Sequence, residues 1–207
     1  AEFLLKQEMR NPTNYLAIIQ AIAEGYTRFG EIVNRTSLKK STVSQYLSNL
    51  QEIHVVEKEF PITQNKESRN ALYQLSDNYY RSWFDMVYPN KGMVEQNKQE
   101  KLMENIQENL KHRTAETFEQ VCRQFSVKKF DLGKIGRWWH NQHEIDVVGL
   151  NEEEGKILLG ECKWKNSKVG LSTFKQLEEE AEMVKWGGKD RTEEYVIFSK
   201  SGFTRVS

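Results

Sequence analysis

Residues 144–165 read "EIDVVGLNEEEGKILLGECKWK". Two apolar runs flank three glutamates and a glycine, the pattern of two strands joined by a four-residue turn at Glu152–Gly155. An antiparallel hairpin with that turn pairs residues whose numbers sum to 307. Asp146 then faces Glu161, Glu144 faces Lys163, and Val148 faces Leu159 nearer the turn, all on one side because side chains alternate with period two. Opposed carboxylates would sit about 5 Å apart at Cβ and repel. A divalent cation between Asp146 and Glu161 removes the conflict, and Mg²⁺ or Mn²⁺ suits carboxylate oxygens. Lys163, two residues beyond Glu161, would share that face and could serve an attacking water or a pentacovalent phosphate. The competing reading is a solvated strand face carrying ordinary Glu and Lys.

Outward from the hairpin, "KIGRWWH" and "EYVIFSK" read as further strands, with helices over 114–127 and 171–184, an αβββαβ order. Trp138 and Trp139 read as core or rim packing, with base stacking the lesser alternative. His140 and His143 lack ligand-like spacing and read as structural or surface residues, and "EEEG" and "LEEEAE" read as solvated faces. Lys165 and Lys168 in "KWKNSK" could form a basic lip beside the acids.

The first half has a different grammar. Tyr15, Ile18, Ile19, Ile22 and Ala23 make the apolar stripe of a core-facing helix that stops at Gly25. Thr27 can cap a short second helix through Ile32 and Val33. A third follows Lys39, Lys40 and Ser41, with Val43, Leu47 and Leu50 inward and Thr42, Ser44, Gln45 and Asn49 left for solvent or a partner. "HVVEKEF" and "ALYQL" then flank the polar loop "PITQNKESRN", giving a helix-turn-helix with a wing. Lys39, Lys40, Lys66 and Arg69 suit DNA phosphates, and Thr42 and Gln45 suit groove contacts. A protein-docking role for the same module competes with this. The aromatic helix "NYYRSWFDMVYPN" reads as core or joining surface ending at Pro89. The domain boundary is expected near 90–95, with a winged helix-turn-helix over 1–92 and a second domain over 93–207.

Formal charge is zero overall, and each half balances as well, with 10 basic and 10 acidic residues in 1–90. Strong non-specific phosphate binding is thus not a property of composition, so any nucleic-acid contact has to come from a local patch. No apolar run is long enough for a membrane span. Cys122 and Cys162 stand in separate segments without CxxC spacing, which argues against a disulfide framework or thiolate zinc site and suits a reducing cytoplasm. The opening "AEFLLKQEM" reads as the middle of a helix, suggesting a fragment.

"EID" followed by "GECKW" resembles the D…(D/E)xK signature of the PD-(D/E)xK nuclease superfamily, which includes restriction endonucleases and archaeal Holliday-junction resolvases. The resemblance implies an α+β chain, a winged helix followed by a restriction-endonuclease-like α/β domain. It makes Asp146 and Glu161 metal-binding acids and Lys163 the catalytic lysine. Glu119, in "TAETFEQVCRQF", matches the additional helical acid of resolvase-like members. Gln176, in "STFKQLEEEAEMV", matches more weakly a polar residue used near substrate. Ile145 stands where the signature has proline. The ordered set "NYLAIIQAIAEG", "STVSQYLSNL", "YQLSDNYYRSWFDMVYPN", "FEQVCRQF", "IGRWWH", "EIDVV", "GECKWK" and "IFSKSGFT" is similar to the C-terminal region of archaeal and bacterial DEXX-box ATPases. That family implies an N-terminal P-loop ATPase domain as partner. No GxxxxGK[ST] occurs in these 207 residues, so ATP hydrolysis is not expected of them.

The expected function is therefore a Mg²⁺- or Mn²⁺-dependent DNA phosphodiesterase. Its rivals are a non-cleaving DNA-binding or docking region of an ATPase and, more weakly, a regulator with a ligand-sensing second domain.

Overall fold

The computed structural model describes residues 12–64, 68, 70–95, 99–188 and 190–205. The chain divides into two compact units. One comprises Ala1–Glu59 with Arg69–Leu110, the other Phe60–Ser68 with Lys111–Ser207.

In the first unit, helices α1 (Pro12–Ala23), α2 (Phe29–Thr36) and α3 (Lys40–Glu52) precede a two-stranded antiparallel sheet. Its strands are β1 (Val56–Glu59) and β2 (Leu72–Leu75), paired from Val56↔Leu75 to Glu59↔Leu72. Ile18, Ile19, Ile22, Ile32, Val43, Leu47 and Leu50 are buried in one cluster, as the helical spacing requires. Gly25, at φ +95°, ends α1. Thr27 is not the cap of α2. That place falls to Arg28, whose N–H donates to Glu31 Oε2 at 3.0 Å, while Thr27 O accepts from Tyr73 N–H. Asn49 also departs from expectation, because its side chain donates inward to Tyr15 Oη at 2.6 Å.

The aromatic segment forms α4 (Asn78–Ser82), a π turn (Trp83–Val87) and a 3₁₀ turn (Tyr88–Asn90), and helix α5 (Lys91–Glu95) follows at once. Phe84 is fully buried, and Tyr80, Trp83 and Tyr88 pack around the same core. Pro89 sits where a helical first turn needs no N–H, so it does not interrupt the chain there. The two compact units are divided along the chain inside helix α6 (Gln99–Lys129).

The second unit is a four-stranded sheet in the order β3 (Lys134–His140), β4 (His143–Asn151), β5 (Lys156–Lys163), β6 (Thr192–Ser199). The first three strands are antiparallel neighbours, and β5 and β6 run parallel, connected through helix α7 (Leu171–Ala181). Each sheet face has its own core. Val148, Leu150, Ile157 and Leu159 pack with Leu177, Ala181 and Val184 of the α7 segment. Val147, Leu158 and Cys162 pack with Cys122 and Phe118 of α6. Trp138 and Trp139 are buried, as expected of core residues. Phe60–Ser68 groups with this unit and so takes in part of the loop at 61–70 read from sequence as the wing; Ile62 N–H donates to Arg137 O at 3.0 Å and its side chain lies against Gly136. Lys66 and Arg69 lie outside the described residues.

Candidate functional site

The β4–β5 ladder has the expected register, with pairs running from Asn151↔Lys156 through Val148↔Leu159 to Val147↔Gly160. There it stops. The next backbone donor, Cys162 N–H, is taken by the Asp146 carboxylate, with Oδ2 accepting at 2.9 Å. On the other side of β4 the register also changes. Gly136 pairs with Val148 but Trp138 with Ile145, so β4 advances three residues while β3 advances two. This bulge at Asp146–Val147 rotates Ile145 into the α7-side core with Val148, which simple alternation would forbid. It also leaves Asp146 at the point where the two strands part. The expected Glu144–Lys163 pair is not made in the ladder, and Glu144 instead pairs across to Trp139 of β3.

Gly160 allows this geometry. A Cβ there would lie 2.9 Å from Val196 Cγ1 and 3.0 Å from Val147 Cβ, so a side chain would force β5 away from its neighbours.

Around the opening, the charged groups meet in one electrostatic field. Lys163 Nζ donates a short hydrogen bond to Glu161 Oε1. Burial, and then the charge of Asp146, push the Glu161 carboxyl up to about 7 against the opposing pull of Lys163. Asp146 is raised by burial, with the Cys162 N–H acting against the shift. Burial alone would lower Lys163, but its bond to Glu161 and the nearby acids raise it on balance, so it is a cation.

Glu119 approaches from α6. One turn later, Arg123 Nη1 lies 3.8 Å from Glu119 Oε2 and donates to Asp146 O at 2.7 Å, clamping the helix to the bulge. Burial and Asp146 likewise raise Glu119 to about 7. Asp146 is thus the acid that both glutamates sense. Among the described residues, however, no three His, Cys, Asp or Glu side chains come together as a metal-sized group, so Glu119 is near the pair without completing a three-ligand set.

Glu180 of α7 was hidden by its neighbours in "LEEEAE". Glu178, Glu179 and Glu182 are exposed as expected, but Glu180 is only 7% exposed and faces inward with Leu177 and Ala181. The three-residue step from Leu177 is the signal that could have found it. Gln176 Nε2 donates to its Oε1 at 3.2 Å, and His143 Nδ1 lies 3.7 Å away, so His143 does have an acidic neighbour. Cys122 and Cys162 are free and buried behind the acids, and burial raises both thiols, which keeps them protonated. Lys165 and Lys168 are exposed in the loop after β5.

In the first unit, Lys39, Lys40, Ser44 and Gln45 are exposed along the start of α3, and Thr42 is half-buried. No helix of the described residues is long and apolar enough to cross a membrane.

Comparison with known proteins matches two separate spans of the chain. Residues 14–58 match the arsR family of bacterial regulatory proteins, covering the three helices and β1. Residues 83–181 match a family of archaeal and bacterial proteins of unknown function, a span that includes Glu119, Asp146, Glu161, Lys163 and Gln176. An uncharacterized protein of Methanocaldococcus jannaschii is 35% identical over 174 residues, 81% of this chain. The match spans only 39% of that relative's length. The chain is thus mixed α and β, with an N-terminal helix-turn-helix region similar to arsR-type regulators ahead of a sheet-containing domain.

Proposed function

We propose that the chain is a DNA-binding, Mg²⁺- or Mn²⁺-dependent phosphodiesterase with a PD-(D/E)xK-type site, acting as part of a P-loop ATPase protein. The observation that carries the reading is the parting of β4 and β5 at Asp146, which gathers Glu161 and Lys163 at one sheet end. The donor set fits a hard cation: all-oxygen, two carboxylates, and a Glu161 whose ionisation burial resists until a positive charge arrives. One Asp146 oxygen serves Cys162 N–H, leaving the other for a ligand. When bound, a divalent ion would supply Lewis acidity toward a phosphoryl oxygen and lower the pKa of water. Lys163, released from Glu161 as that carboxylate turns to the ion, would neutralise charge developing on the scissile phosphate. Arg123 would hold Glu119 and the bulge in place. Exposed Lys39, Lys40 and Gln45, with Thr42, and with Lys66 and Arg69 of the wing, would grip duplex DNA.

A second reading keeps the DNA contacts without cleavage, as a regulatory region of the ATPase. It is favoured by the lack of a three-ligand group among the described residues. A panel of duplex, single-stranded and branched DNAs incubated with Mg²⁺, Mn²⁺ or EDTA separates the two. Metal-dependent cleavage abolished in Asp146→Ala is expected, and binding of the panel without cleavage in any metal would select the second reading.

A further inference from the structure

The loops that leave β5 and β6 at their carboxyl ends lie side by side. Val169 N–H donates to Gly202 O at 3.0 Å, Thr204 N–H to Val169 O at 2.9 Å, and Lys200 N–H to Lys163 O at 3.1 Å. Ser201 Oγ donates to Lys165 O at 2.7 Å. In an electroneutral chain these two loops carry no acid. Residues 164–170 contain Lys165 and Lys168, and residues 199–205 contain Lys200 and Arg205. The first begins at Trp164, next in sequence to Lys163 and 39% exposed. Phe118 braces the indole at 5.0 Å between centroids, and Lys200 Nζ lies over the ring at 4.9 Å while bonded to Asn166 Oδ1 at 2.8 Å.

We infer that this surface binds a single-stranded nucleic-acid segment beside the Asp146–Glu161–Lys163 site, with Trp164 stacking an unpaired base and Lys200 and Lys165 holding flanking phosphates. The inference rests on the proposed function for the site's chemistry, but not for the binding itself. Magnitudes favour the exchange. An exposed cation over an aromatic ring gains about 0.5–1 kcal/mol, whereas a base on the same ring gains about 1–3 kcal/mol. A base therefore displaces Lys200 from the indole, and Lys200 moves to the phosphate that accompanies that base. The loop clasp holds the two lysine-bearing segments in place while their side chains stay exposed. A strand with an unpaired nucleotide near the scissile phosphate is the substrate class this selects, over continuous duplex whose bases are already stacked.

The test is binding by fluorescence anisotropy in EDTA, so that no metal chemistry is needed. Labelled oligothymidylate, an abasic strand of equal length, and oligothymidylate annealed to its complement are titrated with wild type, Trp164→Ala, Trp164→Phe and Lys200→Ala. Trp164→Ala should weaken oligothymidylate binding about 5- to 150-fold, with Trp164→Phe in between, and should leave the abasic and duplex strands unchanged. Lys200→Ala should reduce the salt slope on single strands by about 0.7. If Trp164→Ala does not fold, the wild type must still prefer oligothymidylate to the abasic strand and Lys200→Ala must still lower the slope. Equal binding of oligothymidylate and abasic strand by wild type, or an equal loss on both in Trp164→Ala, overturns the inference. Base-dependent binding together with absence of cleavage in any metal would leave this surface standing and remove the phosphodiesterase reading alone.

Discussion

The two ends of one hairpin behave as different materials. Near the turn, β4 and β5 keep their full ladder, and Val148, Leu150, Ile157, Leu158 and Leu159 are buried on both faces. At the other end the ladder is cut, a side chain caps a backbone donor, and two acids, Asp146 and Glu161, with Lys163 occupy positions that the strand pattern assigns to core. The apolar end anchors the strands so that the polar end can hold like charges together. A bulge and a glycine separate the two regimes.

The sharpest way to break that comparison is at the anchor. Leu158→Ala should cost about 2–5 kcal/mol of stability in chemical denaturation, since a fully buried side chain leaves a cavity between sheet and α6. At the polar end the expected effect moves from stability to rate. Lys163→Ala should fold and lose about 100- to 1,000-fold in metal-dependent cleavage, because it removes a charge needed mainly in the transition state. Full activity in that variant would remove Lys163 from the mechanism. At the seam, Gly160→Ala should cost about 1–3 kcal/mol by wedging β5 from β4 and β6. Unlike Leu158→Ala, it should also shift the Glu161 position and weaken metal binding.

The pH dependence distinguishes the ends as well. Glu119 and Glu161 titrate near 7 when folded and near 4.5 otherwise. The folded chain therefore holds protons that the unfolded chain has released, and metal-free stability should fall as pH rises from about 4.5 to 7, then level off. Asp146→Asn should flatten that decline by removing the charge both glutamates sense. Thermal melts from pH 4.5 to 8.5 in EDTA measure it, and a profile unchanged by Asp146→Asn would dissociate the glutamates from Asp146.

Much of this was legible in the sequence where period and turn agree. "NEEEGK" set the hairpin register, and the 3.6-residue stripe from Tyr15 to Ala23 set the first helix. What stayed hidden depends on tertiary geometry. The bulge at Asp146–Val147 lies in the register of β4 against β3, so Ile145 and Glu144 could not be placed by alternation. Glu180 was lost in a run of glutamates because charge pattern outvoted helical phase. Asn49 looked solvent-facing until Tyr15 offered it a partner. The basic surface around Trp164 joins segments more than 30 residues apart, so a neutral composition gave no sign of it.

In the other unit a smaller effect is expected. Lys39→Ala with Lys40→Ala should weaken duplex binding and reduce its salt slope by about 0.9 for each phosphate that the two lysines neutralise. An unchanged slope would assign α3 to protein docking.

Calorimetric titration of Mn²⁺ at pH 8 into wild type, Asp146→Ala and Glu161→Gln addresses the hairpin's charged end most directly. Saturable binding by wild type, lost or greatly weakened in both variants, is the predicted result. No saturable heat in wild type, or equal binding in all three proteins, would contradict it and leave the parted strands as a structural cap on Cys162 N–H.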